Sequence, residues 1–311
     1  MNSDFHITEQ NLNNRYNFNL FVNNPFEPSD IKILFHKKNS EELPYFSIVM
    51  PIHNQENIII KHIQSIIHCI TNITYEFIFI IDACSDNSEK YLLDFFEKFL
   101  KNEVLSILII KSDIPLFETR CDNIGFICSK GKYILEMQAD MEMIEVGFNE
   151  KLVKPFLKHE NIIAISGRCC HSFDNRYGIG KTGLKIMKKL HEIENLDINS
   201  YYLAETCNRG PILFDNQKCK ELQYLDEVNY FLGECDHDLF ARAYEQKQWI
   251  CGYVPIEFNA NLVNGSTRKK RDKKNEIFFH IRKNKTQNSK NGFLHKYKNQ
   301  FQKRNYIKFP L

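Results

Sequence analysis

Short apolar runs alternate along the chain with longer segments in which apolar residues recur every three or four positions. A short run closed by turn residues is typical of a buried strand, whereas the three-to-four spacing is typical of a helix with one face on a core. Strands are therefore predicted over residues 46–50, 77–81, 104–110, 132–137, 162–166, 212–214 and 250–254. Helices are predicted over residues 56–70, 88–100, 118–129 and 181–194.

This alternation predicts an α/β fold. Strands separated by helices of this length form a mostly parallel sheet with right-handed crossovers and helices on its faces. Residues 1–44 show no clear period, so we expect an N-terminal arm or edge elements there.

Composition narrows the class of protein. The chain has 311 residues, of which 43% are hydrophobic and 26% charged, as in a soluble globular protein with one large domain or two smaller ones. No apolar run approaches the roughly 20 residues that span a bilayer, and the first ten residues do not resemble a signal peptide. Ten cysteines without CxxC pairs are typical of reduced thiols. We therefore expect a cytoplasmic protein, either free or peripheral to a membrane.

The charge is unevenly distributed. Residues 268–311 contain 15 Lys and Arg but only 2 acidic residues, although the whole chain carries a net charge of only +2. The chain is thus predicted to have a basic C-terminal tail on an acidic body. The tail would either dock on that body as a partly ordered helix or contact an anionic surface. Nucleic acid is the less favoured partner, although aromatic residues among the basic ones leave that alternative open.

Acidic residues follow two of the predicted strands. Asp140 comes just after the strand over residues 132–137, and Asp82 closes the strand over residues 77–81. In an open α/β sheet, ligands bind beyond the carboxyl ends of the strands. A carboxylate there can hold a divalent cation, and the cation can hold a diphosphate. Asp82 can accept hydrogen bonds from a base or a ribose, whereas Asp86 can either do the same or cap the next helix.

Five motifs in order resemble those of family 2 glycosyltransferases. They are FSIVMPIHNQE at 46–56, DACSDNS at 82–88, RCDNIG at 120–125 with GKYI at 131–134, QAD at 138–140, and GECDHDL at 233–239 followed by Arg242. The similarity extends over about residues 46–254. It implies a GT-A fold with a Rossmann-like sheet in one catalytic domain.

The resemblance also implies boundaries, an activity and partners. The catalytic domain would occupy residues 45–265, with a nucleotide-sugar half at about 45–145 and an acceptor half at about 146–265, between an arm at 1–44 and the tail at 266–311. It would be an inverting hexosyl- or N-acetylhexosaminyl-transferase that uses Mn²⁺ or Mg²⁺. The donor would be a nucleotide-diphosphate sugar, with a UDP-sugar favoured, and the acceptor hydroxyl would belong to a glycan, a lipid or a protein.

Site residues follow from the matching positions. The catalytic base would be Asp236, and the metal ligand would be Asp140. The implied nucleotide-sugar contacts are Pro51, His53, Asn54, Glu56, Asp82, Asp86, Arg120, Asn123, Gln138 and Ala139. Candidates on the acceptor side or in nearby loops are Arg168, His171, Arg209, Gly210, Glu234, His237 and Asp238.

The acidic motif suits proton transfer. An Asp opposite the leaving group can accept the proton of the attacking hydroxyl. We expect burial and neighbouring acids to raise the pKa of Asp236. Asp238 would be either the helix-side acid of the motif or a helix cap, and His237 is favoured as a structural or substrate-orienting partner over a metal ligand.

Three departures from the family pattern keep alternatives open. Gln138 replaces the first Asp of the metal motif, Ala139 removes another acid, and Asp122 stands where many relatives carry Arg, a charge that Arg120 would then supply. A catalytically inactive relative that binds nucleotide sugar or protein is therefore one alternative. A nucleotidyltransferase, which can share the nucleotide-binding half, is another.

Overall fold

A ten-stranded sheet dominates the computed structural model, which describes residues 31–99, 101–173, 178–183, 188–227, 229–260, 273–286 and 306–311. Its spatial order is β1 (Ile31–Lys38), β4 (Val104–Ser112), β3 (Tyr75–Asp82), β2 (Phe46–Ile52), β5 (Tyr133–Glu136), β12 (Ile212–Asp215), β7 (Ile162–Ser166), β13 (Ile250–Tyr253), β10 (Ser200–Ala204) and β15 (Ile307–Pro310). A small sheet joins β11 (Thr206–Cys207), β8 (Cys169–His171) and β9 (Ile179–Gly180), and β14 (Phe258–Ala260) pairs with β6 (Met141–Met143).

Helices pack on the sheet. They are α1 (Ile59–Cys69), α2 (Ser88–Glu97), α3 (Glu118–Cys128), α4 (Phe148–Lys158), α5 (Asn216–Glu221), α6 (Cys235–Lys247) and α7 (Lys273–Thr286). Helix α1 buries the isoleucine stripe that its spacing predicts. Helix α3 lies very close to β2, because a Cβ at Gly125 would stand only 2.2 Å from Cγ1 of Val49. Only glycine allows that approach, which brings the polar residues of α3 towards the ends of the strands.

The strand order confirms the predicted α/β class. Strands β4, β3, β2 and β5 are mutually parallel, so the carboxyl ends of β2, β3 and β5 lie at one edge of the sheet. Strand β12 runs antiparallel between β5 and β7, and β13 is parallel to β7. The first half of the sheet thus presents the loops after residues 52, 82 and 136 next to one another.

The helix predicted over residues 181–194 is wrong. In the described part of that segment, Thr182 bridges to Lys188, and only Leu190–Glu192 forms a short 3-10 turn. The backbone takes positive φ at Gly180, Lys181 and Gly183, which a helix does not tolerate. The described residues 181–183 and 188–194 are therefore irregular rather than α-helical.

Both flanks of the chain contribute to the sheet. From the N-terminal arm, β1 pairs antiparallel with β4 and forms one edge, as expected. From the C-terminal tail, β15 pairs antiparallel with β10 and forms the other edge. The domain boundaries near residues 44 and 265 stay a prediction, as does contact of the tail with an anionic surface.

The helix of the tail reaches the loops near the candidate site. The ring centroid of Phe279 on α7 lies 6.2 Å from that of Phe117 and 5.7 Å from that of Phe231. The rings of Phe117 and Phe231 are 5.2 Å apart, so three segments meet in one aromatic cluster. In the part of the chain that the structure describes, no helix is long and apolar enough to cross a membrane.

Candidate active site

The loops that follow β2 and β3 are joined by hydrogen bonds. The His53 ring donates from Nδ1 to the carbonyl oxygen of Asp82 over 2.6 Å, since a carbonyl can only accept. The side-chain oxygen of Asn54 accepts from the backbone N–H of Ser85 at 2.8 Å. Pro51 pairs with Ile80 in the parallel ladder immediately before these contacts. The three family-matched residues thus lie at the edge of the sheet where the resemblance places a nucleotide.

Asp82 fixes the loop that enters α3. Its Oδ1 accepts from the backbone N–H of Leu116 at 2.6 Å, and its Oδ2 accepts from that of Phe117 at 3.0 Å. Phe117 has φ of 66°, so the chain turns sharply where the carboxylate holds it. Asp82 thus has a structural role at the entry to α3. The nucleotide contact of Asp82 stays a prediction.

Asp86 and Glu56 have structural partners. Asp86 accepts from the backbone N–H of Glu56 at 3.0 Å and, with its other oxygen, from that of Ser88 at 3.0 Å. Glu56 accepts from the backbone and side-chain amides of Asn87 at 2.9 and 2.8 Å. Asp86 therefore accepts the N–H of the first residue of α2, as the capping alternative expects. A contact with a ligand would be additional to this hydrogen bond.

Arg120 and Asn123 point toward the segment before α6. Arg120 pairs with Glu227 at 3.6 Å, and both side chains are at most 3% exposed. The amide of Asn123 donates to Glu227 at 2.9 Å and accepts from the backbone N–H of Leu225 at 3.0 Å. These contacts attach α3 to the acceptor half. Contact of either residue with the nucleotide stays a prediction.

The metal motif contains a single carboxylate. Asp140 is 9% exposed, and burial raises its pKa, while His62 and Arg168 act in the opposite direction. His62 donates from Nδ1 to the carbonyl oxygen of Ala139 at 2.7 Å. Gln138 donates from Nε2 to Oε1 of Glu118 at 3.0 Å. Among the residues described, no three His, Cys, Asp or Glu side chains form a ligand set.

Four acidic residues surround Arg209. Its guanidinium binds Asp122 through a short contact and Glu118 at 3.3 Å. Glu136 and Asp236 lie close enough to interact electrostatically with these residues. Arg209 is 5% exposed, so these charges interact away from bulk water. The cluster therefore links α3, β5 and α6 to the loop before β12.

This cluster is not evident from the sequence. The unusual Asp122 is its signal in the sequence, and Arg209 supplies the charge that opposes it. Glu136 is fully buried, and among the described residues neither of its carboxyl oxygens has a hydrogen-bond partner. Burial raises the pKa of Glu136 well above its usual range and that of Asp122 to about 7. Glu136 therefore favours the protonated form, whereas Asp122, beside Arg209, changes its charge near neutral pH.

Replacing Glu136 tests this protonation. Because the pKa of Glu136 is higher in the folded than in the unfolded chain, its contribution to stability is complete below about pH 4 and is lost as pH rises towards the folded-state pKa. In Glu136→Gln this loss of stability with rising pH is absent, although the variant still buries a polar amide. Relative to wild type, we expect the variant to gain unfolding free energy between pH 5 and pH 8, by up to about 1.4 kcal/mol for each pH unit.

Urea unfolding at both pH values measures this difference. Glu97→Gln, an exposed change at the end of α2, should leave the pH dependence as in wild type. Parallel pH curves for Glu136→Gln and wild type would show that Glu136 is already ionised in the folded chain.

Asp236 lies in the first turn of α6. Gly233 and Glu234 precede it with φ of 83° and 64°, and its Oδ1 accepts from the backbone N–H of His237 at 2.9 Å. Burial raises the pKa of Asp236, but His237, Arg209 and backbone N–H groups together lower it by more. The net pKa therefore lies below the usual range of an aspartate. The expected raised pKa is therefore wrong. Asp236 is held ionised, in the form that accepts a proton.

The other residues of the acidic motif have separate partners. Asp238 binds Arg242 at 2.7 Å, and Arg242 donates to the carbonyl oxygens of Leu222 and Tyr224, so Asp238 holds that segment to α6. Asp238, in the first turn of α6, thus has a structural role as the partner of Arg242. The side chain of Glu234, at the start of the helix, is partly exposed.

Two histidines lie beside the candidate base. His237 Nδ1 is 2.5 Å from Oγ1 of Thr206, and its ring centroid is 5.3 Å from that of His171. His171 donates from Nδ1 to the carbonyl oxygen of Ser172 at 2.7 Å, and burial lowers its pKa. The two rings thus lie together beside Asp236, and the structural or orienting role of His237 stays a prediction.

Solved structures with a similar fold include glycosyltransferases. The crystal structure of GalNAc-T7 with UDP, GalNAc and Mn²⁺ superimposes with a TM-score of 0.51 at 15% identity, covering 71% of this chain and 44% of that one. S. aureus TarS 1–349 in complex with UDP-GlcNAc gives a TM-score of 0.49 at 12% identity, covering 76% and 64%. This chain thus spans less than two thirds of either protein.

The sequence itself identifies the family. No curated protein matches the chain. The profile described as "Glycosyl transferase family 2" matches residues 47–205, half of the chain, including the loops after β2 and β3 and the QAD motif. The fold is GT-A, and the chain belongs to glycosyl transferase family 2.

Proposed function

We propose that the protein is an inverting glycosyltransferase that moves a hexosyl or N-acetylhexosaminyl group from a nucleotide-diphosphate sugar to an acceptor hydroxyl. The observation that carries this proposal is the convergence of the metal motif and the acidic motif on one guanidinium. Gln138 binds Glu118, Glu118 binds Arg209, and Arg209 lowers the pKa of Asp236. These contacts support the interpretation that the donor-side and acceptor-side motifs of the family belong to one site.

Asp236 would act as the base. It is buried and ionised, so it can take the proton of the acceptor hydroxyl as that oxygen attacks the anomeric carbon. The new carbon–oxygen bond forms as the bond to the diphosphate oxygen breaks on the opposite face, which inverts the anomeric carbon. Fixed dipoles and charges around the site would stabilise the charge that develops on the leaving group.

The residues present fit a cation that is shared with the donor. Mg²⁺ is commonly held by one or two carboxylates together with substrate phosphates, and Asp140 supplies one carboxylate. The oxygen of Gln138 can add a neutral ligand, because its hydrogen bond to Glu118 uses the amide nitrogen. When bound, Mn²⁺ or Mg²⁺ would neutralise charge on the diphosphate.

A UDP-sugar is the favoured donor. The similar GalNAc-T7 structure contains UDP, and the loops after β2 and β3 have the sequence features on which the resemblance to the family rests. The acceptor would be a glycan, a lipid or a protein. A nucleotide-sugar-binding protein without turnover is the second candidate, since the metal motif keeps only one acid.

Thermal unfolding of the full chain with a panel of nucleotide sugars, with Mn²⁺ or with EDTA, tests the proposal. A donor that binds only the folded state at about 100 times its Kd adds about 2.7 kcal/mol of stability. We expect a larger rise in Tm with Mn²⁺ than with EDTA for one donor, and Asp140→Asn should lose the difference. No rise with any nucleotide sugar in a folded sample would contradict the proposal.

Turnover separates the two candidates. Release of the nucleoside diphosphate from the donor that binds, increased by an acceptor, is expected of the enzyme. Tight donor binding without any release would favour the binding protein.

A further inference from the structure

Strand register brings Arg168 to the edge of the sheet that carries the metal motif. Ile212 of β12 pairs with Glu136 on one side and with Ser166 on the other. Gln138 and Arg168 each lie two residues beyond those partners, and Gly210 lies two residues before Ile212. Since all three positions leave the sheet at the same level, they are neighbours in space.

The segment at Gly210 connects these neighbours directly. A Cβ at Gly210 would stand 3.0 Å from both Cγ and Cδ of Gln138, so this backbone lies against the Gln138 side chain. Nη1 of Arg168 donates to the carbonyl oxygen of Arg209 at 3.3 Å. The guanidinium of Arg168 therefore reaches the peptide that covers the metal motif. Its effect on the pKa of Asp140 agrees with this placement.

Arg168 differs from the other arginines near the site. Arg120, Arg209 and Arg242 each pair with a carboxylate. Within the described ranges, Arg168 has no ion pair, and the hydrogen bond to Arg209 is its guanidinium's only one. Arg168 is also only partly exposed, so water does not fully solvate its charge. A partly buried guanidinium without a carboxylate is suited to an anionic ligand, and its planar fork matches phosphate oxygens.

The backbone of Arg168 is held in place. Its N–H donates to Oγ of Ser166 at 2.9 Å, and its carbonyl oxygen accepts from the N–H of Thr182 at 3.1 Å. A fixed backbone lowers the entropy lost when the side chain takes up a ligand.

We infer that Arg168 binds the diphosphate of the donor, from the acceptor half of the sheet and beside Asp140. This role rests on the proposed function and extends it. Gln138 brings no charge to the metal motif. Arg168 supplies a positive charge that, unlike a bound metal ion, is part of the chain. Part of the affinity for a nucleoside diphosphate is therefore independent of any divalent cation.

Calorimetric titration of the full chain with UDP and GDP, each in Mn²⁺ and in EDTA, tests this role. Wild type should bind one of the two measurably in EDTA. Arg168→Gln should lose about tenfold or more of that affinity, the size of a charge-assisted hydrogen bond. Arg168→Lys should recover only part, because it keeps the charge without the fork. Asp140→Asn should lose only the gain that Mn²⁺ gives.

Uridine and guanosine distinguish phosphate binding from a structural effect. Because they lack phosphates, their affinity should be the same in Arg168→Gln as in wild type. Lys220→Gln, an exposed change on α5, is the control for charge alone. Equal UDP or GDP affinity of wild type and Arg168→Gln, or an equal loss for nucleoside and diphosphate, would overturn the inference and leave the proposed function intact. Wild type that binds neither diphosphate under either condition would overturn the inference, and the proposed function would fall with it if no nucleotide sugar of the thermal panel binds either.

Discussion

Asp236→Asn is expected to lower the rate of sugar transfer by about 10²–10⁴-fold, the usual contribution of a positioned general base. The amide has nearly the same shape as the carboxylate, and its oxygen can still accept the N–H of His237. The variant cannot accept the proton of the acceptor hydroxyl. Donor affinity should stay within about threefold of wild type, because the change affects only the proton-accepting group.

The fold should tolerate this change. Neutralising Asp236 removes its attraction to Arg209 and His237, but it also relieves its repulsion with Glu136 and Asp122, and the two effects oppose each other. Thermal unfolding of Asp236→Asn should therefore occur near the wild-type Tm. Asp94→Asn, an exposed change on α2, should leave both activity and Tm unchanged. A rate for Asp236→Asn within about threefold of wild type would exclude Asp236 as the base.

The pH profile gives an independent measure of the same residue. The pKa of Asp236 is lowered, so the carboxylate stays ionised down to about pH 5. We therefore expect no loss of kcat/KM from protonation of the base between about pH 5 and pH 8. A limb of the profile near pH 7 that persists in Glu97→Gln but shifts in Glu136→Gln would belong to the Asp122–Glu136 group, since burial raises the pKa of Asp122 to about 7.

The parts of the fold that could be predicted from sequence are those with local causes. Apolar spacing and turn residues act over a few positions, so they predict the strand over residues 162–166 at its observed bounds. They also predict the helices that begin at Ser88 and Glu118 at their observed starts. The motifs were found because each is continuous in the chain. The helix predicted over residues 181–194 failed because spacing does not reveal positive φ at Lys181.

The contacts that build the site depend on pairings distant in sequence. Arg209 meets Asp122 only because β12 inserts between β5 and β7, a pairing that no local pattern predicts. Similarly, Arg120 and Asp122 share one helix but have different partners, and the sequence does not say which side of α3 faces the strand ends. Asp86 shows a third limit, since the residue types that bind a nucleotide also cap helices.

Arg209→Met is expected to have the largest effect on stability. Arg209 is the cation to which Asp122 and Glu118 bind, with Glu136 and Asp236 nearby. Removing one partner of a buried ion pair leaves uncompensated charge and typically costs about 3–5 kcal/mol. Methionine fills much of the same volume, so the loss would come from charge rather than from a cavity.

The cost of Arg209→Met should depend on pH in a defined direction. At pH 5 the unpaired Asp122 can take up a proton, because its pKa is already about 7 with Arg209 present and would rise without it. At pH 8 protonation becomes costly, so the free energy of unfolding should fall further below wild type than at pH 5. Urea unfolding of both proteins at the two pH values measures this difference.

A double variant separates lost pairing from general damage. Arg209→Met with Asp122→Asn removes both charges of the closest pair, so it should recover part of the loss at pH 8 and show less pH dependence. Lys220→Met removes an exposed positive charge on α5 and should cost less than about 0.5 kcal/mol. A loss for Arg209→Met that is below about 1 kcal/mol and equal at both pH values would mean that the four carboxyl groups do not need the guanidinium. The acidic cluster would then be neutralised by protonation alone, and the link between the metal motif and Asp236 would lose its physical basis.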